Sequence, residues 1–282
     1  MSTLREKRKK ERRALRRRKT ADWTVVLILC AIAVCCGGYL IYHHWSVKQR
    51  ELEYERLRQE ETLSAATETV IAEPETEENT EETVIYCDPV YDFGQLHEQN
   101  EDIYAWIVVP GTQVDYPLLQ SGTDNYYLDY NLDHSKGYPG CIYTNQCNRK
   151  DFSDYNTVLY GHNMKNGSMF GSIHSFEDET FFDEHPYIYV YTENERLTYE
   201  IYEAAKFTDV YIPSEYVISS KDDRDQFLAD VREKVSDNKL HVREDMEIGE
   251  EDRLITLSTC VSGERNHRYL VIGVLVETAL YR

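Results

Sequence analysis

Cys260 closes an apolar run, Thr256-Leu257-Ser258-Thr259-Cys260, and eight residues later Arg268 opens a second one, Tyr269-Leu270-Val271-Ile272-Gly273-Val274-Leu275-Val276. On two antiparallel neighbours these runs bring a thiol and a guanidinium side by side. Upstream, His162 follows a short strand-like run and Gly161, in Thr157-Val158-Leu159-Tyr160-Gly161-His162-Asn163. A thiol with its free pKa of about 8.5 is mostly protonated at neutral pH, so an imidazole or a guanidinium must help the thiolate form. An imidazole can also carry a proton to a departing amine. Arginine does not release its proton, and serves instead as a permanent donor toward a carbonyl or an oxyanion. Each residue alone has a plainer reading, as a core thiol, a turn histidine and a solvated strand-flanking arginine. Their joint order points to a cysteine nucleophile in acyl transfer, with His162 and Arg268 as its partners. No Asp, Glu or Asn stands out as an orienter of the imidazole.

The segments around this trio differ sharply in composition. The chain has 282 residues and a net charge of −20, yet its first twenty residues hold eleven Lys/Arg against Glu6 and Glu11, leaving −29 for the rest. Residues 24–42 form an uncharged stretch of nineteen, about 28 Å of helix, enough to cross a bilayer core near 30 Å with Trp23 and Trp45 at its edges. Basic residues before the span and an acidic chain after it place residues 1–22 in the cytoplasm as a basic tail, residues 23–42 in the membrane as a signal anchor, and the remainder outside. A cleaved signal peptide is the competing account, since Ala31-Ile32-Ala33 has the small-residue pattern of a peptidase site, but the apolar run continues past it. The basic tail is explained by topology and anionic lipid, so no nucleic-acid partner is expected.

Residues 43–86 read as a charged stalk helix, roughly 47–61, followed by an acidic linker; residues 60–82 hold nine Glu, many Thr and no basic residue, too little apolar surface to fold. From residue 87 to 282 short Tyr/Val/Ile/Leu runs separated by turn residues predict strands and hairpins, for example around Glu193-Asn194-Glu195. Apolar residues at 227, 228, 231 and 235 have helical spacing, with Asp222 or Asp223 as cap. Of seven cysteines, Cys30, Cys35 and Cys36 fall in the span; Cys141 and Cys147 are close enough in sequence for a disulfide or equally for two independent thiols. Neither C-x-x-C nor H-E-x-x-H spacing occurs, so neither a metal nor another cofactor is expected.

The Tyr160-Gly161-His162-Asn163 block, the Thr256-Leu257-Ser258-Thr259-Cys260 block ending 98 residues after His162, and Arg268-Tyr269-Leu270-Val271 resemble the signature of sortases, transpeptidases of Gram-positive cell surfaces. Ala105-Trp106-Ile107-Val108-Val109-Pro110-Gly111-Thr112, Asp115-Tyr116-Pro117-Leu118-Leu119-Gln120, Asp124-Asn125-Tyr126-Tyr127-Leu128 and Gly140-Cys141-Ile142-Tyr143 extend the resemblance to class B, over roughly residues 88–282. It implies a mainly β fold: an eight-stranded barrel with an N-terminal helix, around residues 92–106, and a long helix between the sixth and seventh strands. It implies catalytic His162, Cys260 and Arg268, and a peptide groove lined by Tyr160, Ser258, Asn125 and Leu128, with Tyr211 and Ile212 as further candidates. Arg265 shares the loop with Arg268, which is preferred because it abuts the apolar run. The implied partners are secreted proteins with a C-terminal sorting signal and the amine of a peptidoglycan precursor. The alternatives are a pilin-polymerising sortase, a hydrolytic cysteine peptidase and a non-enzymatic anchored surface module. Protease added to intact protoplasts is expected to remove the region beyond residue 43; full protection would place the domain inside the cell.

Overall fold

The computed structural model describes residues 2–61, 85–234 and 240–282, in two compact units, Met1–Glu53 and Tyr54–Arg282. The first unit belongs to one helix, α1 (Ser2–Glu61). From Trp23 onward α1 contains a stretch long and apolar enough to cross a membrane, and Trp23, Leu27, Val34, Ile41 and Trp45 are all exposed along it. A helix apolar on every side and uncovered by protein matches hydrocarbon rather than water. The glutamate-rich residues 62–82 lie outside the described residues.

The second unit is a closed barrel of eight strands: β2 (Ile103–Val108), β3 (Asp115–Leu119), β4 (Ile142–Thr144), β5 (Asn156–Tyr160), β6 (Tyr187–Tyr191), β7 (Glu195–Thr208), β9 (Leu254–Val261) and β10 (Glu264–Tyr281). Around the barrel they run β10-β9-β5-β4-β3-β2-β6-β7, and a β7–β10 pairing closes the ring. Two short strands, β1 (Ile85–Cys87) and β8 (His241–Val242), add to β10 and β7. Within the barrel pairing is antiparallel except at β3–β4 and β5–β9, and β1 joins β10 in parallel. An eight-stranded barrel encloses just enough space for side chains to fill, and Ile107, Val190, Phe170, Tyr199, Leu159, Leu257, Tyr269 and Val271 fill it.

The alternate side chains of β5, β9, β10 and β7 form a second core outside the barrel. Val158, Leu254, Leu270, Ile272, Ala205 and Phe207 are covered there by α6 (Lys221–Lys234), through Phe227, Leu228 and Val231, and by Ile212 of α5 (Ile212–Glu215). Each fully buried Phe, Leu or Val contributes about 1.5–3 kcal/mol. Helix α6 therefore lies between the sixth and seventh barrel strands. Its cap is Ser220, whose Oγ accepts from the Asp223 N–H at 3.2 Å; Asp223, read as a cap from sequence, accepts from the Val217 N–H instead. Val235 lies outside the described residues.

Two local expectations are corrected. The N-terminal helix, α2 (Phe93–Gln99), stops seven residues before Trp106. Asn100 ends it by turning its amide inward to Tyr127 Oη and the Leu132 carbonyl, and the β-branched and aromatic run that follows pairs as β2. The stalk helix is not solvated throughout: Tyr54 and Leu57 are buried, and Tyr54 Oη donates to the Gly140 carbonyl at 3.1 Å. Arg58 Nε donates to the Asp115 carbonyl at 2.7 Å, with its guanidinium over the Tyr116 ring. Tyr54, Leu57 and Arg58 share one helix face at i, i+3 and i+4, a stripe too narrow to stand out among charged neighbours.

Between sheet and α6 sits a fully buried carboxyl, Glu203 of β7, paired in register with Ile272 and Val242. Neither oxygen has a hydrogen bond among the described residues, and Arg232 Nε stands 3.7 Å away. Burial pushes its pKa from 4.5 up to about 7, against the pull of Arg232 and with a further push from Glu244. The fold thus retains a proton that the unfolded chain has released, so stability falls as pH rises from about 4.5 to about 7, by on the order of 3 kcal/mol. Replacing Glu203 by Gln is expected to flatten this part of the stability–pH curve in urea melts at pH 5 and pH 8. Equal slopes for both proteins would contradict it.

Candidate active site

Side chains alternate across a strand, so the members of the outer core identify which residues of β5, β9 and β10 face outward. Val158, Leu254 and Leu270 face outward, and by the same parity so do Tyr160 and His162, Ser258 and Cys260, and Arg268. In the parallel β5–β9 pair, Tyr160 stands opposite Ser258; two residues on, the chains reach His162 and Cys260. In the antiparallel β9–β10 pair, Arg268 stands opposite Cys260. Three adjacent strands thus deliver thiol, imidazole and guanidinium to one end of one face.

Close packing beneath His162 sets its position. Gly161 faces inward, where an added Cβ would lie 2.5 Å from Ile142 Cδ1 and 2.8 Å from Phe170 Cδ2, so only glycine fits. The His162 ring meets the Leu128 carbonyl at 2.8 Å through Nε2. A carbonyl only accepts, so Nε2 carries the proton, and in the neutral ring Nδ1 is left as the acceptor. The orienter is thus a main-chain oxygen, which no residue-type search could find. Tyr138, more than half exposed, places its ring 4.8 Å from that of His162. Cys260 is a free, exposed thiol, and no hydrogen bond among the described residues joins it to His162.

Strand β10 opens at Glu264 rather than at Arg268, after the two-residue Ser262-Gly263 turn in which Gly263 has φ +83°. A register shift between Glu264 and Arg268 bulges the intervening residues, and Arg268 is where regular pairing resumes. Its Nη1 donates to the His267 carbonyl at 3.0 Å and the Arg265 carbonyl at 3.4 Å. Arg265 itself lies in the bulge, exposed.

Beside the trio lies a polar and aromatic wall. Asn125, in left-handed conformation at φ 58°, accepts on Oδ1 from Tyr143 Oη at 3.0 Å and from Asn145 Nδ2 at 3.3 Å. Asn145 Nδ2 also donates to Tyr211 Oη at 2.9 Å, and the Tyr211 and Tyr160 rings stack at 6.2 Å. Burial, with neighbouring hydroxyls and carboxylates adding to it, pushes the Tyr160 phenol far above its usual value and that of Tyr211 up to about 12. Both stay protonated donors. Tyr160 Oη is buried without a hydrogen-bond partner among the described residues. The structure therefore brings Asn125, Tyr160 and Tyr211 into one network, and Leu128, 39% exposed, to His162. Ser258 is buried, and Ile212 is 2% exposed within the outer core, so Ile212 supports the wall and offers it no surface. Reasoning from sequence missed Tyr138, Tyr143 and Asn145, whose roles come from loops folding back onto the strand ends. Cys141 is buried and Cys147 exposed, and no disulfide joins them; Cys141 Sγ accepts from Tyr54 Oη at 3.4 Å, and Cys147 Sγ lies 3.8 Å from Tyr211 Oη.

Comparison with known proteins agrees with this architecture. The sortase domain family model matches residues 107–276. A sortase B of Listeria monocytogenes is 34% identical over 168 residues, which span 58% of this chain and 65% of the relative, slightly under two thirds of its length. A sortase B of Staphylococcus aureus is 26% identical over 261 residues, 91% of this chain and 97% of the relative. The crystal structure of Clostridium perfringens sortase B superimposes with a TM-score of 0.59 at 30% identity, covering 66% of this chain and all of that one. With the barrel and the strand-end Cys, His and Arg already in place, these likenesses make the chain a member of the sortase family, of the class B type.

Proposed function

We propose that this protein is a membrane-anchored cysteine transpeptidase that cleaves a C-terminal sorting motif of secreted proteins and transfers them to an amine of a peptidoglycan precursor. The observation that carries this reading is the register that sets Arg268 opposite Cys260 with His162 one strand away, all on the outer face beside the Asn125–Tyr211 wall. His162 takes the Cys260 thiol proton on Nδ1, the thiolate Sγ attacks the carbonyl carbon of the motif's Thr, and a tetrahedral oxyanion forms. Arg268 turns from its own loop carbonyls to donate to this oxygen and to the substrate backbone. The C–N bond then breaks, His162 supplies the proton that the departing amine requires, and a thioester remains on Cys260. A second amine attacks the thioester, His162 removes its proton, and the thiolate is released. Tyr160, Tyr211, Asn125, Leu128 and Ser258 form or support the groove that holds the peptide. The apolar stretch of α1 anchors the enzyme, with residues 1–22 cytoplasmic and the barrel outside.

Peptides from a library with Thr at the scissile position, incubated with and without an added amine, are read by product mass. An amine-adduct product supports transfer, and free acid alone would make the protein a hydrolytic peptidase. Adduct formation on a protein lysine in place of a cell-wall amine would assign pilin polymerisation. Cys260→Ala should abolish cleavage without lowering Tm, because an exposed thiol contributes little packing.

Arg268 and Arg265 should differ. A donor fixed by a paired strand can be worth on the order of 3 kcal/mol toward an oxyanion, a factor of about 100 in rate. Arg268→Ala is expected to lower kcat/KM by that order, and Arg268→Lys to recover little of it, since an ammonium lacks the planar fork. Arg265→Ala, in the exposed bulge, should cost less than about tenfold. The opposite ranking would mean that the bulge rather than the strand presents the catalytic guanidinium.

A further inference from the structure

The main-chain carbonyl of Cys260 lies on the same edge of β9 as that of Ser258, which accepts from the Gly161 N–H at 3.3 Å, and so faces the end of β5. On that edge the β5–β9 pairing ends at Tyr160 and Ser258, while on the other Cys260 stays paired with Arg268 and Val261 with Glu264. A strand edge left unpaired next to a nucleophile constrains its peptide plane, and with it the thiol, from one side alone. Two side chains gather at the missing ladder. Asn163 Nδ2 donates to this carbonyl at 2.7 Å, and His174 Nε2 lies 3.0 Å from the same oxygen. Asn163 Nδ2 also reaches His174 Nε2 at 3.0 Å and Ser262 Oγ at 3.2 Å.

His174 is itself held on two further sides. Its Nδ1 donates to Glu177 Oε1 at 2.8 Å within the 3₁₀ helix Gly171–Glu177, which leaves Nε2 of the neutral ring as the acceptor for Asn163 Nδ2. Its ring stacks on Tyr269 at 4.9 Å and 24°, and Tyr269 directly follows Arg268. One imidazole therefore touches the residue after each of His162 and Arg268, and the carbonyl of Cys260 itself. Nothing in the trio's chemistry requires a second histidine, and Glu177 and Tyr269 hold this one in a single orientation.

Resting on the transpeptidase reading, we propose that His174 is a positioning residue: it holds Asn163 on the Cys260 carbonyl, where Asn163 replaces the missing β5 hydrogen bond, and so keeps the thiol oriented toward His162 and Arg268. A misoriented thiol loses the neighbours that favour its thiolate, so its reaction with an alkylating agent slows near neutrality and is restored once the pH ionises it anyway.

The test uses the full chain in detergent micelles and iodoacetamide, with alkylation followed on the tryptic peptide of residues 254–265, whose one cysteine is Cys260. His174→Phe keeps the ring and the stack on Tyr269 but removes both nitrogens. Its Cys260 alkylation at pH 7 is expected to slow at least about fivefold and to converge with the unsubstituted protein by pH 10, with Tm little changed. His174→Gln, whose amide oxygen restores an acceptor for Asn163, should recover to within about twofold. Asn163→Ala should shift the profile in the same direction, and it decides alone if His174→Phe lacks a cooperative melt. In amine transfer, His174→Phe should lower kcat and leave KM unchanged. A pH 7 rate within twofold of the unsubstituted protein, or a slowing that persists at pH 10, would overturn the proposal. Failure of amine transfer in the unsubstituted chain, with the alkylation shifts present, would instead remove the transpeptidase reading and leave the role of His174 standing.

Discussion

Strand β9 is paired on both edges, in parallel to β5 and antiparallel to β10, and everything chemical in this protein depends on that double register. Because side chains alternate with a period of two, a slip of one residue in either pairing would send Cys260, His162 or Arg268 to the barrel interior. The register is held by burial on both faces. Leu257, Tyr269 and Val271 pack inside the barrel while Leu254, Leu270 and Ile272 pack outside it. Few sheets of this size are specified so completely, since most expose one face to water.

The outer face is covered by α6 along most of its length and left open at one end. That end is where Cys260, His162 and Arg268 emerge and where the loops carrying Asn125, Tyr138 and Tyr211 gather. The wall they form is aromatic in bulk and polar at its tips, with Tyr143, Asn145 and Tyr211 linked by hydrogen bonds. In the proposed function such a wall accepts an extended peptide through its backbone while excluding water from the thioester.

Two of the proposed catalytic groups are held by neutral main-chain oxygens rather than by carboxylates: His162 by the Leu128 carbonyl, and Arg268 by those of Arg265 and His267. The Cys260 carbonyl accepts from Asn163 Nδ2. A carbonyl fixes a ring or a guanidinium without adding a negative charge, so the field of Arg268 at the sulfur is not cancelled by its own support. In a chain with a net charge of −20, this selective use of uncharged partners keeps the strand end suited to an anionic nucleophile.

The apolar stretch, the basic tail and the acidic residues after it were legible from sequence because each is a matter of composition, which needs no fold to interpret. The meeting of the Cys260 thiol, the His162 imidazole and the Arg268 guanidinium at one strand end was legible because strand periodicity and local motif survive in one dimension, as did the Tyr187–Tyr202 hairpin and the apolar face of α6. What escaped depended on approach between distant segments. The end of α2 was hidden because Asn100 stops it through contacts with Tyr127 and Leu132, some thirty residues on. The burial of Tyr54 and Leu57 against the barrel was masked by the charges around them. Ile212 looked available for a groove and is buried beneath α6 instead. His174 carried no signal at all, for a histidine acquires a role only from what it touches. Types and periods are properties of residues, and the sequence determines them alone; register breaks, buried carbonyl contacts and closed cores are properties of pairs, and only the tertiary structure decides which pairs meet.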